Sequence, residues 1–391
     1  MGINQLFCNY LSKSCLTMKN PQLLDLYTDY LMSSFSLTTA TGLTQVIDNK
    51  YSHDQITRFL EQEGLDQKEY WRLIKSVVRE IETDDSVLIV DDFIEEKPHT
   101  TMNSLVCYHW DHKTKRNIKG VNIVNFLLNT SIDNQTNVSI PVAFEPVFKT
   151  KTFIDQTSGK EKRKSETTKN ELLRNRLKIL VFQNRIKFRY ALWDTWYSSA
   201  ENMEFVVNDL KRHFVCAIKE NRTVALSQQD KFAGKFQQVS TLDLKPGQTC
   251  LVWLKEVNFP VILAKQVFTN IDGSSGVLNL VSSDTSLIYE QITTIYKKRW
   301  KVEESHKSLK QNASLEKSPT KMEKSQMNHI FASYIALIKL ESLKLKNRLN
   351  HFALKSKIYI SAIKNAMQEL LLLKNSINSA NIPLQLELQF G

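Results

Sequence analysis

Four residues near the end of the chain have the types and spacing needed to act on a phosphate group. Tyr296, Arg299, Glu303 and Lys310 lie in the segment YKKRWKVEESHKSLK. At about 100° per residue they share an arc of roughly 60° on one face of a single predicted helix. The acid could bind a metal ion and the two cations could bind a phosphate backbone. Because a lone acid in a basic helix is more often a salt-bridged surface residue, catalysis requires acidic partners elsewhere.

Two apolar segments upstream supply such partners. VLIVDDF is predicted to form a buried strand that ends in Asp91 and Asp92, and FRYALWD a strand that ends in Asp194. Successive strand residues point to opposite faces, so only one of Asp91 and Asp92 can face the site. We favour Asp91, which directly follows the apolar run, while Asp92 remains the alternative.

Three carboxylates from separate segments form an oxygen-only ligand set, which suits Mg²⁺ or Mn²⁺. Two such ions about 4 Å apart suit in-line attack at phosphorus by water or a 3′-hydroxyl. The predicted catalytic and metal-binding residues are Asp91, Asp92, Asp194 and Glu303. The predicted DNA-binding residues are Tyr296, Arg299 and Lys310.

These motifs together resemble a known protein family. The pattern Y-x2-R-x3-E-x6-K resembles the signature of insertion-sequence DDE transposases of the YREK branch, within the ribonuclease H-like superfamily. VLIVDDF and ALWDTWYSSAEN resemble the first and second acidic motifs of that family, so the resemblance covers residues 86–340. It implies metal-dependent hydrolysis at the ends of a mobile DNA element, followed by attack of the freed 3′-hydroxyl on target DNA. It also implies a dimer or larger complex bound to both ends.

The expected fold is α/β, with a ribonuclease H-like core of a mixed sheet flanked by helices. The predicted parts are a helical N-terminal domain (1–85), a first core segment (86–210), a β-rich insertion (211–285), a second core segment with the Glu303 helix (286–340) and a helical C-terminal region (341–391). In the N-terminal domain, apolar residues recur every three or four positions, and Ser52 is a predicted helix N-cap. This domain could be a helix-turn-helix that binds DNA ends or a packing module, and both interpretations stay open.

The positive charge is concentrated away from the N-terminus. The chain carries a net charge of +11, yet residues 1–90 have 8 basic and 12 acidic side chains, a net charge of −4. Residues 149–189 have 13 basic and 4 acidic side chains, a local excess of +9. We predict a mobile basic loop in the first half of this segment and a helix over residues 171–181. An excess of one sign of this size favours double-stranded DNA as the partner.

The spacing of the cysteines and the length of the apolar runs indicate the cellular compartment. Five scattered cysteines, without a C-x-x-C pair, predict neither a zinc knuckle nor a disulfide framework. No apolar run approaches the ~20 residues that span a bilayer. We therefore expect a cytoplasmic protein that associates with the nucleoid when it is bound to DNA.

Three other interpretations fit parts of the sequence. His109, Asp111 and His112 have a spacing that could bind a metal, although a structural role is more common for such residues. A ribonuclease H-like nuclease could cut DNA without joining it. A catalytically inactive derivative could bind DNA and repress transposition, but a pure binding protein has no need of acids that repel phosphate.

Overall fold

A computed structural model gives the fold of residues 20–379, apart from residues 113, 134–135, 158 and 270–271. In this part of the chain, helices at both ends enclose a central region that is rich in strands. The helices are α1 (Pro21–Ser33), α2 (Ala40–Val46), α3 (His53–Leu60), α4 (Gln67–Ile81), α5 (Lys169–Lys178), α6 (Ala200–Glu204), α7 (Gln228–Phe232), α8 (Tyr289–Lys297), α9 (Trp300–Gln311), α10 (Glu323–Asn347) and α11 (His351–Ser379). The strands are β1 (Val87–Glu96), β2 (Cys107–Asp111), β3 (Arg116–Ser131), β4 (Asn137–Pro146), β5 (Lys151–Ile154), β6 (Glu161–Lys164), β7 (Tyr190–Trp193), β8 (His213–Ile218), β9 (Thr223–Ala225), β10 (Gln237–Gln238), β11 (Thr249–Leu254), β12 (Val261–Thr269) and β13 (Ser275–Ser282).

One mixed sheet of eleven strands organises the molecule. Its order is β10-β9-β11-β12-β13-β8-β7-β1-β3-β2, with β4 also paired to β3. The pairs β1–β7 and β7–β8 are parallel, and the other pairs are antiparallel. Helices cover this sheet, so the predicted α/β class with a mixed sheet flanked by helices is confirmed.

The two faces of β1 belong to different hydrophobic clusters. Val87 and Ile89 are buried in a cluster with side chains of α8 and α9. Leu88 and Val90 are buried in a larger cluster on the opposite face, together with side chains of α5, α10 and the N-terminal helices. This alternation follows from the two-residue period of a strand, and it decides which helices each β1 side chain can reach.

The N-terminal helices pack on the rest of the chain rather than standing apart. The Tyr27 hydroxyl lies 2.9 Å from Nδ1 of His329 in α10, and the Tyr70 hydroxyl donates to the Pro141 carbonyl in β4 at 2.7 Å. At the start of α3, Ser52 caps the helix and forms a capping box with Gln55, as the sequence predicts for Ser52. The four helices therefore share a hydrophobic core with the sheet.

The segment between β8 and α8 extends the main sheet. Its strand β13 pairs with β8 over Ser282↔Val215 to Asn279↔Ile218. β8 itself lies inside the predicted insertion range 211–285, yet it is parallel to β7, the strand that precedes Asp194. The domain boundaries stay predictions, but the pairing joins the β-rich segment to the core by continuous hydrogen bonding.

Two local predictions are wrong. The basic segment expected to be a mobile loop contains a hairpin of β5 and β6, closed by a turn in which the Gly159 N–H donates to the Asp155 carbonyl at 2.8 Å. Gly159 has φ +65°, which glycine adopts without strain. The strand expected to end at Asp91 and Asp92 continues to Glu96, because β3 pairs with it along its whole length.

None of the helices within the described ranges combines the length and hydropathy needed to cross a bilayer. Cys107, Cys216 and Cys250 are free thiols, and burial raises the pKa of each. Cys8 and Cys15 lie outside the described residues.

Gly120 provides a test of the β1–β3 pairing. A Cβ added there would overlap the backbone carbonyl oxygen of Glu95, which cannot move without breaking the ladder. We expect Gly120→Ala to lower the free energy of unfolding by about 2–4 kcal/mol. Gly159→Asn, at an open turn with positive φ, is the matched control and should change it by less than ~1 kcal/mol. Urea denaturation measures both, and equal effects would contradict the packing described.

Candidate active site

Asp91 lies in the middle of β1, beside Asp194, which directly follows the carboxyl end of the parallel strand β7. The β1–β7 register pairs Val87 with Tyr190 and Ile89 with Leu192, so its continuation places Asp91 beside Asp194. The two carboxylates interact electrostatically, and the Trp196 N–H donates to Asp194 Oδ1 at 2.9 Å. The parallel pairing therefore brings together two acids that are distant in sequence.

Asp92 points away from this pair. It lies on the opposite face of β1, where both its oxygens accept from Lys169 Nζ at 2.9 Å. The Tyr197 hydroxyl donates to Oδ1 at 2.7 Å and the Asn122 amide donates to Oδ2 at 2.9 Å. These three donors fix the Asp92 carboxylate in a structural network that joins β1, β3, α5 and the loop after β7.

The segment carrying Glu303 is two helices, so the prediction of one helix through Tyr296 and Lys310 is wrong. The N–H groups of Lys298 and Arg299 bond to the carbonyls three residues earlier, those of Ile295 and Tyr296. These i→i−3 bonds tighten the backbone between α8 and α9. Arg299 thus sits at the N-cap of α9.

Arg299 connects the helix to β1. Its Nη2 donates to Glu303 Oε1 at 3.0 Å, and its Nη1 lies 3.4 Å from Asp91 Oδ2. The residue is only 9% exposed, and the Trp300 ring packs 4.8 Å from its guanidinium carbon. A buried guanidinium therefore links two of the predicted catalytic acids.

The three aspartates have different electrostatic environments. Burial and the nearby Asp194 and Asp92 charges raise the pKa of Asp91 from 3.8 to about 7, although Arg299 acts in the opposite direction. Burial also raises the pKa of Asp194. Burial alone would raise the pKa of Asp92, but the ion pair with Lys169 and the hydrogen bonds from Tyr197 and Asn122 together outweigh burial and lower this pKa. Of the three aspartates, Asp91 is therefore the one whose ionised form a further cation would stabilise most.

Two predicted DNA-binding residues are engaged inside the protein. Lys310 Nζ donates to the Ile94 carbonyl at 2.7 Å and lies 3.5 Å from Oε2 of the buried Glu95. Tyr296 is 6% exposed and belongs to the hydrophobic cluster that contains Val302. In this conformation both side chains stabilise the contact between the helix segment and the sheet.

The residues around Asp91 fit a divalent cation in their chemistry. The ligands available are carboxylate oxygens, and Asn125, directly opposite Asp91 on β3, is fully buried. Neither amide atom of Asn125 has a hydrogen-bond partner within the part of the chain that the structure describes. In that same part, however, no three His, Cys, Asp or Glu side chains form a preassembled metal site. Glu303 is turned toward Arg299 instead.

The other metal-binding candidate is dispersed. His109 is buried on one face of β2, whereas His112 is exposed beyond the end of the strand. Asp111 Oδ2 accepts from the Thr114 N–H at 3.0 Å. The spacing of these three residues therefore reflects their positions along the β2–β3 hairpin.

Sequence reasoning missed two residues of the site. Lys169 is concealed in a run of basic residues, in which no pattern distinguishes an internal ion pair from a surface charge. Asn125 could have been noticed as a polar residue inside the apolar sequence VNIVNFLL. Its position opposite Asp91 depends on the register of β3, which the sequence does not specify.

The aspartate environments predict opposite effects of two matched substitutions. Because the folded-state pKa of Asp91 is raised, its contribution to stability is complete below about pH 4 and is lost as the pH rises through 7. Without divalent cations, Asp91→Asn should stabilise the protein at pH 8 by about 2–4 kcal/mol, with a smaller gain at pH 5.

Asp92→Asn is the matched control. The lowered pKa of Asp92 means that its carboxylate stabilises the fold above about pH 4, so this substitution should destabilise the protein at pH 8. Thermal melting in EDTA at pH 5 and pH 8 measures both variants. Destabilisation by Asp91→Asn at pH 8 would show that Asp91 already has sufficient partners.

Comparison with known proteins identifies the family of the chain. A family model described as "DDE superfamily endonuclease" matches residues 13–235, more than half of the 391 residues. A second, described as "Transposase DDE domain", matches residues 147–339. A search of curated proteins finds no match. The mixed sheet flanked by helices is consistent with the ribonuclease H-like fold of such enzymes, and both matches support a transposase or endonuclease function. The chain belongs to the DDE superfamily of endonucleases.

Proposed function

We propose that this protein is a DNA transposase of the YREK branch, which cleaves DNA at the ends of an insertion sequence and joins the freed 3′-hydroxyl to target DNA. The observation that supports this best is the placement of Asp91 and Asp194 in register on parallel strands, facing the helix that carries Glu303. Arg299 contacts both Asp91 and Glu303. Acids from three separate segments thus face one region.

In the proposed mechanism, Asp91, Asp194 and Glu303 would hold Mg²⁺ or Mn²⁺. Two such ions would supply the electrostatic and acid–base chemistry of in-line displacement at phosphorus. Asp91, whose pKa is raised to about 7 by burial and the nearby Asp194, carries a proton in part of the molecules at neutral pH, and a bound cation would favour its ionised form. Glu303, which now accepts from Arg299, would be the third ligand, and the guanidinium released from it would be available to a phosphate oxygen.

Asp92 has a positioning role in this mechanism. Its bonds to Lys169, Tyr197 and Asn122 hold α5 and the loop after β7 against β1. Because Tyr197 lies in the loop that begins at Asp194, this network orients Asp194 indirectly. Asp91 is therefore the first-strand acid that we assign to the metal ions.

The partner is double-stranded DNA, at the element ends and at the target. The basic segment of residues 149–189 suits this polyanion, and so do residues 291–391, which have 17 basic and 7 acidic side chains. We propose a homodimer on DNA, because two element ends must be joined in one reaction. Such a protein would act in the cytoplasm, at the nucleoid.

Cleavage assays with matched glutamate variants test the proposal. With Mg²⁺ or Mn²⁺ and a labelled duplex carrying the element end, the protein should cut the strand and yield a joined product. Glu303→Gln and Asp194→Asn should each reduce cleavage by at least about 100-fold. Glu304→Gln, next in the same helix and paired with Lys301 at the surface, should retain activity.

The outcomes separate the alternatives. Cleavage without a joined product would support a ribonuclease H-like nuclease that does not transfer strands. DNA binding without cleavage would support an inactive derivative that represses transposition. Short inverted repeats flanking the coding sequence would add independent support for a mobile-element origin.

A further inference from the structure

Four exposed aromatic side chains form a strip next to the acidic site. We name Tyr108, Trp110, His112 and Trp196 the aromatic strip. The three largest members are about half exposed: 54% for Tyr108, 52% for Trp110 and 50% for Trp196. Exposed aromatic side chains leave a large apolar area in contact with water, and a cluster of them commonly marks a binding surface.

Two different elements build the aromatic strip. Tyr108 and Trp110 alternate outward on β2, which lies at one end of the main sheet. The His112 ring lies 6.4 Å from the Trp110 ring and 5.3 Å from the Trp196 ring. Trp196 comes from the loop after β7, so the strip bridges the β2–β3 hairpin and the loop of the second acid.

Trp196 connects the strip directly to the site. Its backbone N–H donates to Asp194 Oδ1 at 2.9 Å, so its position is coupled to that carboxylate. The indole ring of Trp196 also contacts Lys169, whose Nζ lies 4.6 Å from the ring and donates to Asp92. The same residues therefore fix the aromatic ring and the acidic site relative to each other.

Two lysines lie next to the strip. Lys149 Nζ donates to the Tyr108 carbonyl at 2.6 Å. Burial together with Lys149 and Lys169 lowers the pKa of His109, on the inner face of β2, to about 4. Lys169 Nζ lies 4.6 Å from the Trp196 ring, so both ammonium groups contact residues of the strip.

We propose that the aromatic strip binds unpaired bases of the DNA strand that enters the active site, with Trp196 as its central stacking residue. The inference rests on the proposed function, because it requires DNA as the ligand. Aromatic faces interleaved with cations bind single strands by stacking and phosphate attraction. Bases within an intact duplex cover each other's faces, so only unpaired bases can stack on these rings. The strip therefore favours a strand that is locally opened beside Asp194.

The test compares single-stranded and duplex DNA of the same sequence. Fluorescence anisotropy with the full chain in EDTA, where no cleavage occurs, measures both dissociation constants. Trp196→Ala and Trp110→Ala should each weaken single-strand binding by about 5- to 100-fold and change duplex binding less than about twofold. Trp196→Phe should restore most of the affinity.

Phe232→Ala is the matched control, because Phe232 is an 81% exposed aromatic residue in α7, outside the strip. It should leave both affinities unchanged. A 2-aminopurine base in the single strand should also lose fluorescence on binding to wild-type protein, and less so with Trp196→Ala.

The outcomes separate this inference from the proposed function. Duplex binding with unaltered single-strand affinity in both tryptophan variants would overturn the stacking role and leave the transposase proposal intact. An equal loss for Phe232→Ala would also overturn it. If wild-type protein bound neither form of DNA, the proposed function itself would fail.

Discussion

The desolvation and mutual repulsion of two partly buried carboxylates form the constraint on which the site depends. Parallel pairing of β1 and β7 brings Asp91 and Asp194 together, and burial makes their charges costly. Arg299 is the cation that contacts Asp91 most directly, and it is shared with Glu303. One guanidinium between several acids leaves the site short of positive charge. This imbalance supports the cation binding proposed above.

The rest of the fold keeps these acids in position. The apolar residues before Asp91 and Asp194 are buried on both faces of the sheet, which fixes the strands that carry them. On one face, α8 and α9 present Arg299 and Glu303. On the other face, Lys169, Tyr197 and Asn122 hold Asp92. Two adjacent aspartates therefore have separate roles because a strand turns them to opposite sides.

The sequence was sufficient for the fold class, since short apolar runs and helical periodicity report burial directly. It also located the strand preceding Asp194 and predicted the cap at Ser52. It was insufficient where partners distant in sequence decide the outcome. Pairing with β3 carries β1 past Asp91, and the i→i−3 turn at Arg299 has no marker such as proline or glycine. Lys169 and Lys310 look like surface charges until the acids that they contact are placed.

The pairing of β13 with β8 has a mechanical consequence. A segment joined to a core through flexible connections can reorient freely, whereas a hydrogen-bonded sheet resists shear between its strands. The β-rich segment shares that sheet with the strands leading to Asp91 and Asp194. A force applied to β11 or β12 by a bound macromolecule is therefore transmitted through β13, β8 and β7 toward the acids. Because the sheet is stiff, a displacement of its outer strands would also shift Asp91 and Asp194.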